Sequence, residues 1–281
     1  MNECRQAIEI KGLTKTYGKN RGVSQISLSV PEGDIFGFLG PNGAGKSTTI
    51  RCMLGMLHFQ NGEIKLLSMN VEKQSREILQ KVGYMPSEAM FYPSMKVKDV
   101  IRFAAQARNR NCEREAARIC EWLEVDREKR ISELSLGNRK KVSIVCAMQH
   151  KPKLLILDEP TSGLDPLMQE AFFQLILESH AEGTTVFLSS HVLSEVKRYC
   201  QNAAIIKEGK LIKVDSVENL LKSGVRRVKV WKDGREEVFS YSGEIRNLIK
   251  QLDQQQVDDV LIEELSMEEL FLHYYETEGQ R

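Results

Sequence analysis

The sequence predicts an α/β fold whose core is a parallel β-sheet covered by helices on both faces. Apolar segments such as residues 154–157 and 185–188 alternate with stretches of helical periodicity, a pattern typical of strands buried on both faces. A glycine-rich loop at residues 40–48 joins a strand-like segment to a helical one. The chain has 281 residues, enough for one large domain and a small second one.

The first part of the chain predicts a small antiparallel β layer. Residues 7–13 and 25–30 alternate between apolar and polar side chains, as half-buried strands do, and residues 63–67 would extend the layer. Tyr17 is expected between the first two of these strands. A turn at residues 31–33 then leads into the strand that precedes the glycine-rich loop.

The middle of the chain predicts a helical subdomain at about residues 86–150. A short strand at residues 82–85 ends at Pro86, and helical periodicity follows at residues 97–105 and 113–123. These successive helices interrupt the alternation of strands and helices. Beyond them the alternation returns, with predicted strands at residues 154–157, 185–188 and 203–206 and predicted helices at residues 166–181 and near 193–200.

The composition changes after residue 222, which predicts domains at residues 1–222 and 223–281. The second would be a small α+β domain, either with a function of its own or serving as a stabilising cap on the first. Its predicted elements are strands at residues 225–230 and 237–241 around the hairpin signal Asp233-Gly234, a helix at 245–252, a strand at 257–262 and a helix at 267–275.

Composition excludes several classes of protein. The 40 basic residues balance the 39 acidic ones, so no overall field favours nucleic acid or an anionic membrane. Residues 1–6 lack the apolar core of a signal peptide, and no stretch approaches the ~18 apolar residues that span a bilayer. The 6 cysteines include no C-x-x-C pair, which argues against a zinc or redox site. We expect a soluble cytosolic protein that reaches a membrane only through a partner.

The glycine-rich loop has the sequence of a phosphate-binding loop. It reads G-x-x-x-x-G-K-S between a strand and a helix, the context in which this motif binds nucleotide phosphates. Its glycines allow a concave backbone whose N–H groups point at phosphate oxygens, and the helix start adds further donors. Lys46 can reach the β- and γ-phosphates, and the Ser47 hydroxyl can bind Mg²⁺. The residues expected to bind ATP here are Gly40, Pro41, Asn42, Gly43, Ala44, Gly45, Lys46, Ser47 and Thr48.

Two carboxylates and a histidine follow the predicted core strands. Asp158 and Glu159 come directly after residues 154–157. At the carboxyl end of a parallel strand, Asp158 would hold Mg²⁺, and Glu159 would orient or deprotonate the attacking water. His191 follows the next strand, where it would reach the γ-phosphate. The histidines without such a context, expected to be structural, are His58, His150, His180 and His273.

In their order and spacing these motifs resemble the ATPase subunit of an ABC transporter, over residues ~5 to ~215. The resemblance implies that residues 134–138 form the signature segment, usually written L-S-G-G-Q, which contacts the ATP of a second subunit. It implies that Tyr17 stacks on adenine, for which its apolar ring face is suited. The other site residues that it implies are Ser135, Gly137 and Asn138 of the signature and Asp165 of the family's D-loop.

The signature departs from the family pattern at two positions. Leu136 replaces a glycine and Asn138 replaces the glutamine. Ser135 and Gly137 remain, and they would supply a hydroxyl and an N–H group to the γ-phosphate. The helix behind the signature is expected to start at Arg139, and the segment is expected to work.

A second departure lies in the loop at residues 87–95. Ser87 stands where the family usually has a glutamine that reaches the metal, and a serine is too short for that contact. Glu88 is the candidate to replace it. Five apolar or aromatic residues in the same loop predict either a docking site for the membrane subunit or packing against the helical subdomain.

The resemblance implies an ATP-hydrolysing subunit that powers a membrane transporter, with ATP and Mg²⁺ as cofactors. A membrane-spanning permease and a second ATPase subunit, identical or a paralogue, are the implied partners, which places the chain at the inner face of the cell membrane. Residues 260–271 look like the tail of drug, bacteriocin and lantibiotic exporters, which favours export of a drug, peptide or lipid-like substrate.

Two other functions remain open at this stage. A soluble ABC ATPase acting on ribosomes or nucleic acid usually has two cassettes in one chain or a long coiled-coil insertion, and this sequence has neither. A regulatory ATP-binding module without turnover is disfavoured because Glu159 and His191 are both present.

Overall fold

The computed structural model describes residues 5–18, 21–221, 225–232 and 234–264. They form two compact units, one ending at Val214 and the other beginning at Asp215. The sequence placed the change of domain at residue 222, and the assignment of a separate domain to residues 223–281 stays a prediction. Among the described residues, no helix is both long and apolar enough to cross a membrane.

Strands and helices alternate along most of the first unit. The strands up to residue 216 are β1 (Gln6–Tyr17), β2 (Arg21–Pro31), β3 (Ile35–Leu39), β4 (Asn61–Leu66), β5 (Met69–Asn70), β6 (Val82–Met85), β7 (Leu154–Asp158), β8 (Thr185–Ser190), β9 (Asn202–Lys207) and β10 (Lys210–Ser216). The helices are α1 (Lys46–Met53), α2 (Val71–Lys81), α3 (Val97–Gln106), α4 (Glu113–Trp122), α5 (Leu136–Met148), α6 (Pro166–Ala181) and α7 (Leu193–Tyr199).

The core sheet has the strand order β10-β9-β3-β8-β7-β6. From β9 to β6 the neighbouring strands are parallel, as the sequence predicted. Phe36, Phe38 and Phe187 are buried in its centre, with the Phe187 ring centroid 5.9 Å from that of Phe36 and 5.4 Å from that of Phe38. The parallel order brings the carboxyl ends of β3, β7 and β8 to one edge, where α/β proteins bind ligands.

The predicted antiparallel layer is a sheet of order β2-β1-β4-β5. Ile10 of β1 pairs with Leu28 of β2 and Ile64 of β4, and Ile50 of α1 belongs to the same buried apolar cluster. Tyr17 is the last residue of β1, which corrects the expectation that it lies between two strands. The long β1 therefore carries Tyr17 out to the end of the layer.

The region predicted as a helical subdomain contains α3, α4 and α5. α3 buries Val97, Val100 and Ile101 and exposes Phe103 on the opposite face, as expected for an amphipathic helix. The Gln149 amide donates to the backbone oxygen of Ile101 at 3.0 Å and ties the end of α5 to α3.

Three elements, β5, α2 and β10, were not predicted. β10 extends the core sheet beyond β9, and α2 follows the small antiparallel layer. The Asn70 side chain caps α2 by accepting the N–H groups of Glu72 and Lys73. Since α2 buries only Val71 and Ile78, its apolar stripe is too narrow to give a clear helical period.

The second unit contains α8 (Val217–Leu221), β11 (Val225–Lys232), β12 (Arg235–Ser242), α9 (Ile245–Gln255) and β13 (Asp259–Glu264). Its strands form an antiparallel sheet of order β12-β11-β13, and the predicted hairpin is confirmed. Leu248 and Leu252 of α9 pack with Val228 and Val230 of β11 in a buried cluster. Asp233 and the predicted helix at residues 267–275 lie outside the described residues.

Candidate active site

The carboxyl edge of the core sheet carries most of the residues that the sequence singled out. Asp158 of β7 pairs with Ser189 of β8. The N–H of Gly40, after β3, donates to the backbone oxygen of Ser190 at 3.2 Å. The glycine-rich loop, the two acidic residues after β7 and His191 after β8 therefore leave the sheet side by side.

The conformation of the glycine-rich loop requires glycine at two positions. Gly45 has a φ of 108°, a conformation that residues with a Cβ rarely adopt. A Cβ on Gly40 would lie 2.5 Å from the backbone oxygen of Ile206, so the loop packs too closely on β9 for any side chain. α1 then begins at Lys46 with no side-chain cap and no acidic residue in its first turn, which leaves its first N–H groups for an anion.

Lys46 is buried, and its ammonium group lies among three oxygen atoms. Nζ donates to the backbone oxygens of Gly40 at 2.7 Å and Pro41 at 3.1 Å, and it lies 3.0 Å from Oε1 of Glu159. An ammonium held between the loop backbone and a carboxylate can transfer its hydrogen bonds to the oxygens of an entering phosphate.

A cleft of about 1480 Å³ lies over this loop. Gly40 and Ala44 are buried beneath it. The lining also includes three basic residues that the sequence did not single out, Arg21, Arg51 and Lys210, beside the acidic Glu88, Glu159 and Glu208. The predicted loop residues that line the cleft are Asn42, Gly43, Gly45, Lys46, Ser47 and Thr48.

Tyr17 lines the same cleft from the end of β1, with 44 % of its surface exposed. The ammonium group of Lys15 lies 5.0 Å from the centre of the Tyr17 ring, a cation–π contact. An exposed ring steadied in this way offers a flat apolar surface on which a base can stack.

Asp158 is fully buried and has one oxygen free to bind a cation. Its Oδ1 accepts a hydrogen bond from the Ser189 hydroxyl at 2.8 Å. Its Oδ2 is buried and has no hydrogen-bond partner among the described residues. A buried carboxylate oxygen is costly unless it is paired, and a hard divalent cation prefers oxygen ligands. The Asp158 carboxylate is therefore suited to act as a ligand of Mg²⁺, and so is the hydroxyl of Ser47, which lines the cleft.

Glu159 lies between Lys46 and His191 at the edge of the cleft. Its Oε1 faces the Lys46 ammonium, and its Oε2 lies 3.3 Å from Nδ1 of His191. Its backbone has a φ of 48°, a strained conformation for a residue with a side chain. Its N–H donates to the backbone oxygen and the hydroxyl of Ser189, at 3.2 and 3.1 Å. Such strain is typical of functional sites.

His191 reaches Glu159, and the other described histidines do not lie in this site. A second cavity of about 290 Å³ opens beside His191 and Glu159. His150 is buried in the helical subdomain, where its Nε2 lies 3.3 Å from the backbone oxygen of Val82. Burial and the charge of Arg108 lower the pKa of His150 to about 4, so it is neutral and structural at pH 7. His273 lies outside the described residues.

The signature segment leads into a helix, and none of residues 134–138 lines the cleft. α5 begins at Leu136 rather than at the expected Arg139, because Ser135 caps it and accepts the N–H of Asn138 at 3.3 Å. Leu136 is 63 % exposed. A Cβ on Gly137 would lie only 3.0 Å from the backbone oxygen of Gly163, so this glycine allows close contact with the loop after β7.

Asp165 and the loop after β6 also have defined places. The Asp165 carboxylate caps α6 by accepting the N–H of Met168 at 3.0 Å, a structural role beside the one that the sequence implies. Ser87 and Glu88 both line the cleft, Ser87 partly buried and Glu88 exposed. Which of them takes the place of the family's glutamine stays a prediction.

Lys140 is a buried residue near the site that was not predicted from the sequence. Lys140 of α5 is 3 % exposed, and its ammonium group donates to the backbone oxygens of Glu159 at 2.7 Å and Ser162 at 2.6 Å. It lies on the same face of α5 as the buried residues Ser143 and Ile144. A lysine on the apolar face of a helix was the available sequence signal.

The fold and this site define an ATPase of the ATP-binding cassette class. Residues 23–162 match the family model described as ABC transporter, and the chain belongs to this family. It is an ATP-binding, ATP-hydrolysing subunit of an ABC transporter, as the sequence predicted.

Two curated relatives align with this chain over most of their own length. The chain is 36% identical over 219 residues to the "Bacitracin transport ATP-binding protein BcrA" of Bacillus licheniformis, which covers 76% of this chain and 71% of the relative. It is 31% identical over 267 residues to the "Linearmycin resistance ATP-binding protein LnrL" of Bacillus subtilis. This alignment covers 92% of this chain and 83% of the relative.

Solved structures share the fold. The ATP-binding subunit of an ABC transporter matches with a TM-score of 0.75 at 24% identity, covering 96% of this chain and 100% of that one. The dimeric, post-hydrolysis structure of the cassette MJ0796 with ADP and Pi matches with a TM-score of 0.68 at 19% identity, covering 75% and 98%.

Proposed function

We propose that this chain hydrolyses ATP in its cleft to drive a membrane exporter, with Glu159 as the general base. The observation that carries this proposal is the position of Glu159, between Lys46 and His191 at the edge of the phosphate loop. A carboxylate at that place can accept the proton of a water that attacks the γ-phosphate.

ATP would bind with its phosphates over the loop and its base on Tyr17. Lys46 then exchanges the backbone oxygens of Gly40 and Pro41 for β- and γ-phosphate oxygens. Asp158 and Ser47 would hold Mg²⁺, which when bound neutralises charge on the β- and γ-phosphates. His191, half-exposed beside Glu159, orients that carboxylate and can donate to the γ-phosphate.

A first experiment tests the position of adenine. Replacing Tyr17 by alanine is expected to weaken ATP binding by about 1–3 kcal/mol, the worth of one stacked ring. Tyr17→Phe keeps the ring and should bind ATP like the wild type. Equilibrium titration with a fluorescent ATP analogue measures both. Equal loss in the two variants, or no loss in either, would place the base elsewhere.

The second half of each ATP site would come from a second copy of the chain. Ser135 and Asn138 are exposed at the start of α5, where the N–H groups of a helix attract an anion. Neither residue lines the cleft of its own subunit within the described part of the chain. A pair related by a two-fold axis would place each signature over the partner's ATP and form a closed dimer.

The proposal of a permease partner and of export is based on the names of the relatives. Two of them are named for bacitracin transport and linearmycin resistance. We infer that this chain works at the inner face of the cell membrane with a membrane-spanning permease that exports a drug, peptide or lipid-like substrate. The nucleic-acid alternative has no corresponding support among these relatives.

The loop at residues 87–95 is the proposed docking site for that permease. Met90 and Tyr92 are 86 % and 74 % exposed, whereas Phe91 is partly buried. Methionine and aromatic side chains suit a docking surface, because they bury a large area and adapt their shape.

Replacing Phe91 and Tyr92 together by serine tests the docking site. The isolated variant is expected to keep its ATPase activity, while co-purification with the permease and ATP-driven transport are both lost. Ile249→Ser is the matched control, since Ile249 is 56 % exposed in the second unit. Normal assembly and transport by the double variant would exclude this loop as the docking site, and an unfolded variant would assign the residues to the core.

A further inference from the structure

The Lys140 ammonium group is buried, and no carboxylate among the described residues forms an ion pair with it. Its hydrogen bonds go to the backbone oxygens of Glu159 and Ser162, in the loop after β7. Burial lowers the pKa of Lys140, and the nearby charges of Glu159, Asp158 and Glu195 oppose that shift. A buried ammonium is a costly way to close a loop, because a well-packed apolar side chain often serves stability equally well.

The loop that Lys140 contacts has one strained residue, Glu159. Its φ of 48° lies in the left-handed region, which a residue with a side chain keeps only when its surroundings hold it. The Glu159 N–H is held by Ser189 of β8. The Glu159 backbone oxygen is held by Lys140 at 2.7 Å. The two peptide groups that set the direction of the Glu159 side chain are therefore fixed from opposite sides.

The helix that carries Lys140 also presents the signature. α5 starts at Leu136, one turn before Lys140. Gly137 lies against the same loop, since a Cβ there would be 3.0 Å from the backbone oxygen of Gly163. α5 thus lies against the loop after β7 at two places, Gly137 and Lys140, which provides a path by which a shift of its first turn would reach the Glu159 backbone.

We propose that Lys140 is a positioning residue that holds the Glu159 backbone in its active conformation and couples it to the signature segment of the same subunit. The inference rests on the proposed role of Glu159 as the general base. By this coupling, contact of one subunit's signature with its partner's ATP adjusts the first subunit's own base. In the described part of the chain, Lys140 is not among the residues that line the ATP cleft.

The test replaces Lys140 by methionine in the full chain. Methionine keeps a similar volume and removes the donor, so the Glu159 backbone oxygen loses its hydrogen bond to Lys140 while the ATP cleft keeps its lining. We expect kcat to fall by about 10²-fold, the cost of a small misplacement of a catalytic group, with the Kd for ATP unchanged. A purely structural role would lower the melting temperature. It would not lower kcat while leaving the Kd for ATP unchanged.

Two further variants sharpen the test. Lys140→Gln keeps an amide donor of shorter reach, and we expect a kcat between those of wild type and Lys140→Met. Lys98→Met is the matched control, because Lys98 makes a surface ion pair with Glu128 at 2.7 Å on α3. We expect this control to keep its kcat.

The outcomes separate this inference from the proposed function. Unchanged kcat in Lys140→Met, or a parallel loss of kcat and ATP affinity, would overturn the inference. If Lys140→Met does not fold, Lys140→Gln decides: a reduced kcat with unchanged Kd supports the inference, and any other result contradicts it. Glu159→Gln is measured alongside. Turnover retained in Glu159→Gln would refute the general base itself, whatever the Lys140 variants do.

Discussion

Replacing Glu159 by glutamine is expected to lower kcat for ATP hydrolysis by roughly 10²- to 10⁴-fold, the usual contribution of a general base. Glutamine has the size of glutamate but cannot accept the proton of the attacking water. Lys46 keeps its hydrogen bonds to the backbone oxygens of Gly40 and Pro41, so ATP should still bind. Steady-state hydrolysis and titration with a fluorescent ATP analogue measure the two quantities separately.

The matched control for this change is Glu182→Gln. Glu182 forms a surface ion pair with Lys151 at 2.9 Å, so its replacement removes one carboxylate away from the site and should leave kcat unchanged. Turnover by Glu159→Gln within a few-fold of the wild type would show that another group takes the proton.

Replacing Lys46 by alanine is expected to weaken ATP binding by about 10- to 100-fold and to abolish turnover. A charge-assisted hydrogen bond contributes about 1.5–3 kcal/mol, and each 1.4 kcal/mol is a factor of about ten in Kd. The variant also removes the ammonium group that lies 3.0 Å from the Glu159 carboxylate, so repulsion between this carboxylate and the phosphates adds to the loss of binding.

The control for this change is Lys65→Ala, because Lys65 pairs with Glu63 at 3.3 Å on the surface of the antiparallel layer. It should bind ATP with the wild-type Kd and have the wild-type melting temperature. ATP affinity unchanged in Lys46→Ala would contradict the assignment of residues 40–48 as the phosphate loop.

Local sequence signals were sufficient for the core of the site. Gly40 and Gly45 mark a backbone that no other residue fits, and their place between β3 and α1 follows from the neighbouring apolar periodicity. His191 was found because the carboxyl ends of parallel strands share one edge of the sheet. The contact of its ring with Glu159 agrees with that expectation.

Features that depend on distant contacts were not predictable in the same way. The place of Lys140 on an apolar helix face was a local signal, but its contact with a loop 19 residues further along the chain depends on the fold. The position of β3 between β8 and β9 likewise depends on the order of strands in space. The predicted start of α5, at Arg139, lies after its observed start at Leu136. The reason is that Ser135 was not recognised as the cap of this helix.

The most direct test of the proposed mechanism is the mass of the Glu159→Gln chain in solution with and without ATP. One chain has a mass of 32.1 kDa. With saturating ATP and Mg²⁺, sedimentation should show twice this mass, with two ATP molecules retained per pair. The additional change Ser135→Ala should return it to one chain, because the partner's signature no longer holds the nucleotide. A chain that binds ATP at saturation and keeps the mass of a single chain would contradict a site shared between two copies of this chain.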